Sequence, residues 1–356
     1  MTEIRLPAEK KYEAELKALA ADDKDPKPPG WKLSPRAVER YILGDGKKIL
    51  PKYIGDKSLI QVAIATLASD RALMLIGEPG TAKSWLSEHL SAAISGTSAM
   101  IVQGTAGTSE EHIKYSWNYA LLLAEGPSAK SLVPSPILRA MREGKFARLE
   151  EITRTSSEVQ DSLISLLSEK QIAIPELNEM VSAQRGFNII ATANSRDRGV
   201  NEMSAALKRR FNFVTVPVVE DLEQEIRIVT KREEELRGDY QVGAEPPAEL
   251  AKLLVTVFQE LRAGMTKDGK QKIKPPSSVL STAEAISVLF NAGILAQQFG
   301  GKKPAPGELF RSLVGAVSKE GADDLKSLRE YTETVAKGRS GLWADFYKAA
   351  KEHFKG

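Results

Sequence analysis

The stretch "GEPGTAKS" at 77–84 places two glycines, a lysine and a serine in the spacing of a loop that cradles phosphate groups. Gly77 and Gly80 let the backbone turn tightly so that its N–H groups face inward, Lys83 reaches the β and γ phosphates, and the Ser84 hydroxyl meets Mg²⁺. Glu78, Pro79 and Thr81 complete the turn, and Ala82 stands where this spacing calls for glycine. Even with a left-handed backbone at Ala82, one added methyl costs on the order of 1–2 kcal/mol, which a fold absorbs. A surface turn before an exposed lysine would have the same letters. The flanks give the context that the phosphate loop requires: the apolar run "ALMLIG" precedes the loop and "AKSWLSEHLSAAI" opens a helix, whose N-terminus attracts anions.

Three further groups fall where strand ends bring them to that loop. The run "FARLEE" ends in Glu150 and Glu151, and carboxylates at the C-terminal ends of parallel strands lie where ligands of such sheets bind. One acid suits Mg²⁺ and its waters, and the next polarises an attacking water. A solvated acidic pair opening a helix is the plain alternative. "FNIIATAN" ends in Asn194, which either orients a water or makes a turn. "ALKRRF" supplies Arg209 and Arg210, either solvated or projected across a subunit boundary onto charge developing on a neighbour's nucleotide.

The elements that must position these groups follow from an alternation along the chain. Short apolar runs at 72–77, 99–104, 146–151, 187–194 and 211–219 are strand-like, and helix-like segments separate them. That pattern predicts an α/β fold with a parallel five-stranded sheet covered on both faces. Beyond Pro217, "DLEQEIRIVTKREEELRG", "PAELAKLLVTVFQELRAG", "SVLSTAEAISVLFNAGILAQQF" and "GLWADFYKAAKEHFKG" read as amphipathic helices. The expected organisation is a charged N-terminal extension and linker over 1–30, an α/β core over 31–220, and a helical lid with C-terminal helices over 221–356. The last helix either packs on that lid or docks a partner.

A chain of 356 residues with 42% apolar and 27% charged side chains fits two packed globular units. The formal charge of +3 makes nucleic acid an unneeded partner, and the basic runs "KKILPKY" and "TKDGKQKIKPP" read as solvated loops. The absence of cysteine removes disulfides and thiolate chemistry, and the three separated histidines form no ligand pair. With no apolar run of spanning length and no signal peptide, the expected location is cytoplasmic.

At this point the chain resembles the AAA+ ATPases, and within them the MoxR family and its dynein-related relatives. "GEPGTAKS" is similar to that family's Walker A loop, in which alanine before the lysine is common. "ARLEEITRTSSEVQDSLISLLSEKQI" resembles its Walker B strand and following helix, with Glu150 in the place of the usual aspartate. "GFNIIATANSRDRGVNEMSAALKRRF" resembles sensor 1 followed by the arginine finger, Arg210. The segment at about 107–145 resembles the helix-2 insert of this clade, and "SEKQIAIPELNEMVSAQRGFN" its hairpin before sensor 1. The resemblance implies ATP and Mg²⁺ as cofactors, with Lys83 and Ser84 on phosphate and metal, Glu151 on water, Asn194 positioning it, and Arg210 reaching a neighbour. It further implies a homo-oligomeric ring, a hexamer, with a chaperone-like role toward a client carrying a von Willebrand factor A domain. No arginine in "PPSSVLSTAEAI" matches a second sensor; Ser281 or Thr282 is expected to cap that helix instead. A nucleotide-holding assembly scaffold and a nucleic-acid motor are the other functional readings.

Overall fold

The computed structural model describes residues 4–195, 201–277, 280–319 and 322–355. The chain divides into two units, one of residues 1–78 and 82–217, the other of 79–81 and 218–356.

In the first unit the apolar runs form a parallel sheet of β1 (Ala72–Gly77), β2 (Ile101–Gln103), β3 (Phe146–Glu150), β4 (Asn188–Asn194) and β5 (Phe211–Thr215). The strand order is β2-β3-β4-β1-β5. β1 therefore lies between β4 and β5, and its register sets Gly77 beside Asn194. The apolar run at 211–219 yields a strand only to Thr215: Val216 still donates to the Ile76 carbonyl at 2.7 Å, but Pro217 has no N–H with which to continue. Side chains on one face join Met74, Leu149, Ala191 and Leu163, and those on the other join Leu73, Leu75, Leu90 and Ile190, so both faces are covered.

The extension expected as a linker is packed instead. Tyr12, between helices Ala8–Lys11 and Glu13–Asp22, and Leu16 and Leu19 on the second of them fall at i, i+4 and i+7, a stripe that joins the core of the first unit. Arg5 Nη2 donates to Glu88 Oε2 at 2.6 Å, and the Ala8 N–H donates to Glu88 Oε1 at 3.1 Å, tying the segment to the helix that follows the phosphate loop. Lys52 Nζ donates to Glu15 at 2.6 Å and lies 4.2 Å from the Tyr12 ring centroid. Leu19 is 2% exposed, so Leu19→Ala should lower unfolding stability by about 2–4 kcal/mol. Denaturant titration checks this, since a linker residue would change nothing measurable.

Between β2 and β3 the chain forms helix Glu110–Ile113, a hairpin of Tyr115–Trp117 with Leu132–Pro134, helix Tyr119–Glu125 across its tip, and helix Pro136–Glu143. Ile137, Leu138, Ala140 and Met141 on the last of these helices are buried in the sheet's core, whereas Leu123 is 88% exposed. A second hairpin, Gln171–Ile174 with Glu179–Ser182, precedes β4. Tyr115 donates to Glu176 at 2.9 Å and so links the two hairpins. Burial, and then the Glu176 carboxylate, push the Tyr115 phenol up to about 12, so it stays protonated and remains the donor.

The second unit is helical, and its core gathers Phe258, Leu289, Phe310, Tyr331 and Phe346 from five helices. Helices Pro306–Val317 and Ala322–Thr334 join the four expected from the sequence. Ser281 caps Thr282–Phe299 by accepting from the Glu284 N–H at 3.3 Å, and Glu284 bonds back to the Ser281 N–H. On the final helix, Leu342–His353, Phe346 and Ala350 are buried in this core, which settles its packing over free docking of that face. Glu260 is buried in the same unit and accepts from Tyr331 and Arg339, each at 2.6 Å, which satisfies its charge.

Candidate nucleotide site

The loop at the end of β1 folds as its glycines require. Gly80 has φ +75, and Ala82, with φ 69 and ψ 21, takes the left-handed conformation that glycine normally fills before helix Lys83–Ser95. The alanine therefore carries strain, and Ala82→Gly should stabilise the chain by about 1 kcal/mol. A thermal melt reads the gain, and a loss would mean that the methyl makes a compensating contact.

The helix starts at Lys83, so its first N–H groups point into the loop. Lys83 is 7% exposed, and its Nζ donates to the carbonyls of Gly77 at 3.1 Å and Glu78 at 2.7 Å. The Gly77 carbonyl also accepts from the Ser195 N–H at 3.0 Å, which locks the end of β4 beside the loop and places Asn194 there.

One turn further, Ser84 and Ser87 share a helix face at i, i+3 spacing, and both donate to Glu150. Ser84 Oγ lies 2.6 Å from Oε2, and Ser87 Oγ bonds Oε1. Thr192 on β4 donates to Oε2 at 2.7 Å, and Arg148 Nη2 donates to Oε1 at 2.8 Å. Glu150 is 2% exposed, and these bonds satisfy a charge that burial alone would penalise. Arg148 is held as well: Nε donates to Ser87 Oγ at 2.9 Å, Nη1 to the Ser98 carbonyl at 3.2 Å, and Nη2 to the Ser84 carbonyl at 3.0 Å.

Glu151 follows with φ 53 and ψ 48, and its N–H donates to Thr192 Oγ1 at 3.0 Å. Its carboxylate turns to Arg154, 3.0 Å away and partly exposed. The strand beside it demands one particular glycine: a Cβ at Gly104 would lie 2.4 Å from the Glu151 carbonyl oxygen.

Arg210 is folded onto its own unit, with Nε donating to Ser168 Oγ at 2.6 Å and Nη1 to the Ala206 carbonyl. Arg209 is exposed, and its guanidinium makes no hydrogen bond or ion pair among the described residues. Residues 196–200, within the stretch matched to sensor 1 and the arginine finger, lie outside the described residues, as do Ser278 and Val279.

The structure thus brings Gly77, Lys83, Ser84, Glu150 and Asn194 to one edge of the sheet, while Glu151 and Arg210 engage Arg154 and Ser168. Arg148, Ser87 and Thr192 escaped the sequence reading. A charged residue inside the apolar run "FARLEE", two before Glu150 and so on the same strand face, was the signal for Arg148. Among the described residues no group of three or more histidines and carboxylates could hold a metal ion. Mg²⁺ nevertheless fits this donor set, because it is commonly held through substrate phosphates and few protein groups. No helix among the described residues is long and apolar enough to cross a membrane.

A parallel five-stranded sheet with a phosphate loop leaving its inner strand β1, followed by a helical unit, defines the AAA+ P-loop class. Residues 72–211 match the family described as AAA domain (dynein-related subfamily), and residues 223–353 match the YehL-like AAA+ ATPase C-terminal domain. YehL of Escherichia coli (strain K12) is 44% identical over 350 residues, covering 97% of this chain and 96% of that protein. The chain belongs to the YehL-like family of AAA+ ATPases. A Staphylococcus aureus (strain USA300) protein is 29% identical over 189 residues, 52% of this chain and 70% of its own. The crystal structure of NtrX from Brucella abortus in complex with ATP shares the fold, with TM-score 0.52 and 13% identity over 86% of this chain and 68% of that one.

Proposed function

We propose that this chain binds and hydrolyses ATP with Mg²⁺ at the subunit interfaces of a homo-oligomeric ring, and uses the energy to remodel a protein client. The observation that carries the reading is the joint placement of the left-handed turn at Gly80 and Ala82, the Lys83 ammonium, and the Ser84–Glu150 bond at one helix N-terminus. Mg²⁺ bound with the triphosphate supplies positive charge against the oxygens on which charge develops. Lys83 binds the β and γ phosphates, and the Ser84 hydroxyl, bonded to Glu150, holds the metal. Glu151 accepts the proton of the attacking water, and Asn194 orients that water. Arg210 leaves Ser168 and reaches the neighbouring protomer's nucleotide; Arg209, exposed beside it, is the other arginine able to do so.

The finer reading is a MoxR-like, chaperone-like hexamer acting in the cytoplasm on a protein with a von Willebrand factor A domain. The exposed Leu123 and Tyr119 on the insert and Met180 on the second hairpin support client contact there. A second reading, an assembly scaffold that holds ATP without turning it over, is favoured by one observation: both acids of the pair are already engaged, Glu150 by four donors and Glu151 by Arg154.

Phosphate release measured beside native mass, with and without ATP, separates these readings. Turnover with nucleotide-dependent assembly supports the motor, and tight binding with no phosphate release supports the scaffold. In the motor, Arg210→Ala should keep ATP affinity within about threefold while turnover falls about 10³-fold or more. If Arg209→Ala shows that loss and Arg210→Ala does not, the finger is Arg209.

A further inference from the structure

Glu150 stands where an acid would be expected to hold the metal's water, yet its carboxylate is full. A carboxylate offers about four lone-pair sites, and four donors occupy them: Ser87 and Arg148 on Oε1, Ser84 and Thr192 on Oε2. The four donors are placed by three elements. Ser84 and Ser87 are placed by the helix after the loop, Thr192 by the neighbouring strand, and Arg148 by the two-residue period of β3 itself.

Arg148 is as tightly held as the acid it meets. Its guanidinium lies on Ser87 Oγ and on the carbonyls of Ser84 and Ser98, and the side chains of Arg148 and Glu150 are 7% and 3% exposed. A buried pair of this kind has no net charge to offer a cation, and opening it would leave an uncompensated ion. A glutamate also reaches one methylene farther than aspartate, so without a restraint its carboxylate would extend into the space of the metal.

We propose that Arg148 is a positioning residue: it draws Glu150 back and cancels its charge, so that Glu150 acts only by accepting the hydrogen bond that the Ser84 hydroxyl donates and so aiming that hydroxyl's lone pair at Mg²⁺. This rests on the nucleotide reading above and specifies how the same site treats its metal. An acceptor behind a ligand fixes the ligand's orientation without touching the ion. Nucleotide binding in the wild-type chain then depends weakly on Mg²⁺, because Lys83 and the helix N-terminus meet the phosphates whether or not the metal is there. Removing Arg148 uncovers the Glu150 charge, which repels metal-free ATP and attracts the metal.

The test is titration of a fluorescent ATP analogue against wild type, Arg148→Met and Arg148→Met/Glu150→Gln, in EDTA and in millimolar Mg²⁺. The wild-type affinity should change less than about threefold between the two conditions, and that of Arg148→Met about tenfold or more, in line with an added nearby charge. The double variant, in which both charges are gone and glutamine still accepts from Ser84, should return to the wild-type behaviour. A purely structural role for Arg148 would weaken binding equally with and without Mg²⁺, and that result overturns the proposal. Should Arg148→Met not fold, wild type against the double variant decides: matching weak Mg²⁺ dependence supports the proposal, and strong dependence in wild type that the double variant loses overturns it. No binding by wild type in either condition overturns the nucleotide reading, and this proposal with it.

Discussion

Lys83→Ala should lower ATP affinity about 100-fold or more and abolish turnover, while the fold survives. The ammonium is 7% exposed and sits at the mouth of the loop on the carbonyls of Gly77 and Glu78. Hydrogen bonds to a charged partner contribute about 1.5–3 kcal/mol each, so losing two to phosphate oxygens accounts for at least that factor. Truncation costs the apo chain less, because the Gly77 carbonyl keeps the Ser195 N–H as donor. Calorimetric titration reads the affinity, and a thermal shift offers a second readout. ATP should raise the melting temperature of wild type and leave that of the variant unmoved, since a ligand stabilises only what it binds. An affinity within threefold of wild type would remove the loop from the site.

Glu151→Gln should separate binding from chemistry: ATP affinity stays within about threefold, and turnover falls about 10²–10⁴-fold, the range of a lost general base. The backbone makes this a clean comparison. Glu151 is held in its left-handed conformation by its own N–H on Thr192 Oγ1, a bond that glutamine keeps. The carboxylate must first leave Arg154, but that pair is partly open to solvent, with the arginine side chain 55% exposed, and exposed pairs of this kind are worth about 0–1 kcal/mol. Release therefore adds little to the barrier. Single-turnover phosphate release measures the step, and Arg154→Ala serves as control, leaving turnover near wild type. Unchanged turnover in Glu151→Gln would place the base elsewhere.

Local pattern was enough wherever the physics is local. The five apolar runs identified the strands because alternation and run length are properties of neighbouring residues, and "GEPGTAKS" identified its loop because the turn, the lysine and the helix start lie within eight residues. Asn194 could be set beside the loop from its place at a strand end, and the cap of the helix was legible as Ser281 or Thr282, of which Ser281 takes the role. The N-terminal segment was misjudged for the opposite reason. Its prolines and charges outweighed the Tyr12, Leu16, Leu19 stripe, and whether such a stripe is buried depends on what lies opposite it.

Sequence alone therefore determined the class of fold, the loop, and which residue types gather at the sheet's edge. Only the tertiary structure decided how those side chains are committed: Glu150 to four donors drawn from three elements, Glu151 to Arg154, Arg210 to Ser168. The reason is that a buried charge must be satisfied in three dimensions. Arg148 finds its partners on Ser84, Ser87 and Ser98, about 50 to 64 positions away in the chain, and no periodicity in the residues between them records that meeting.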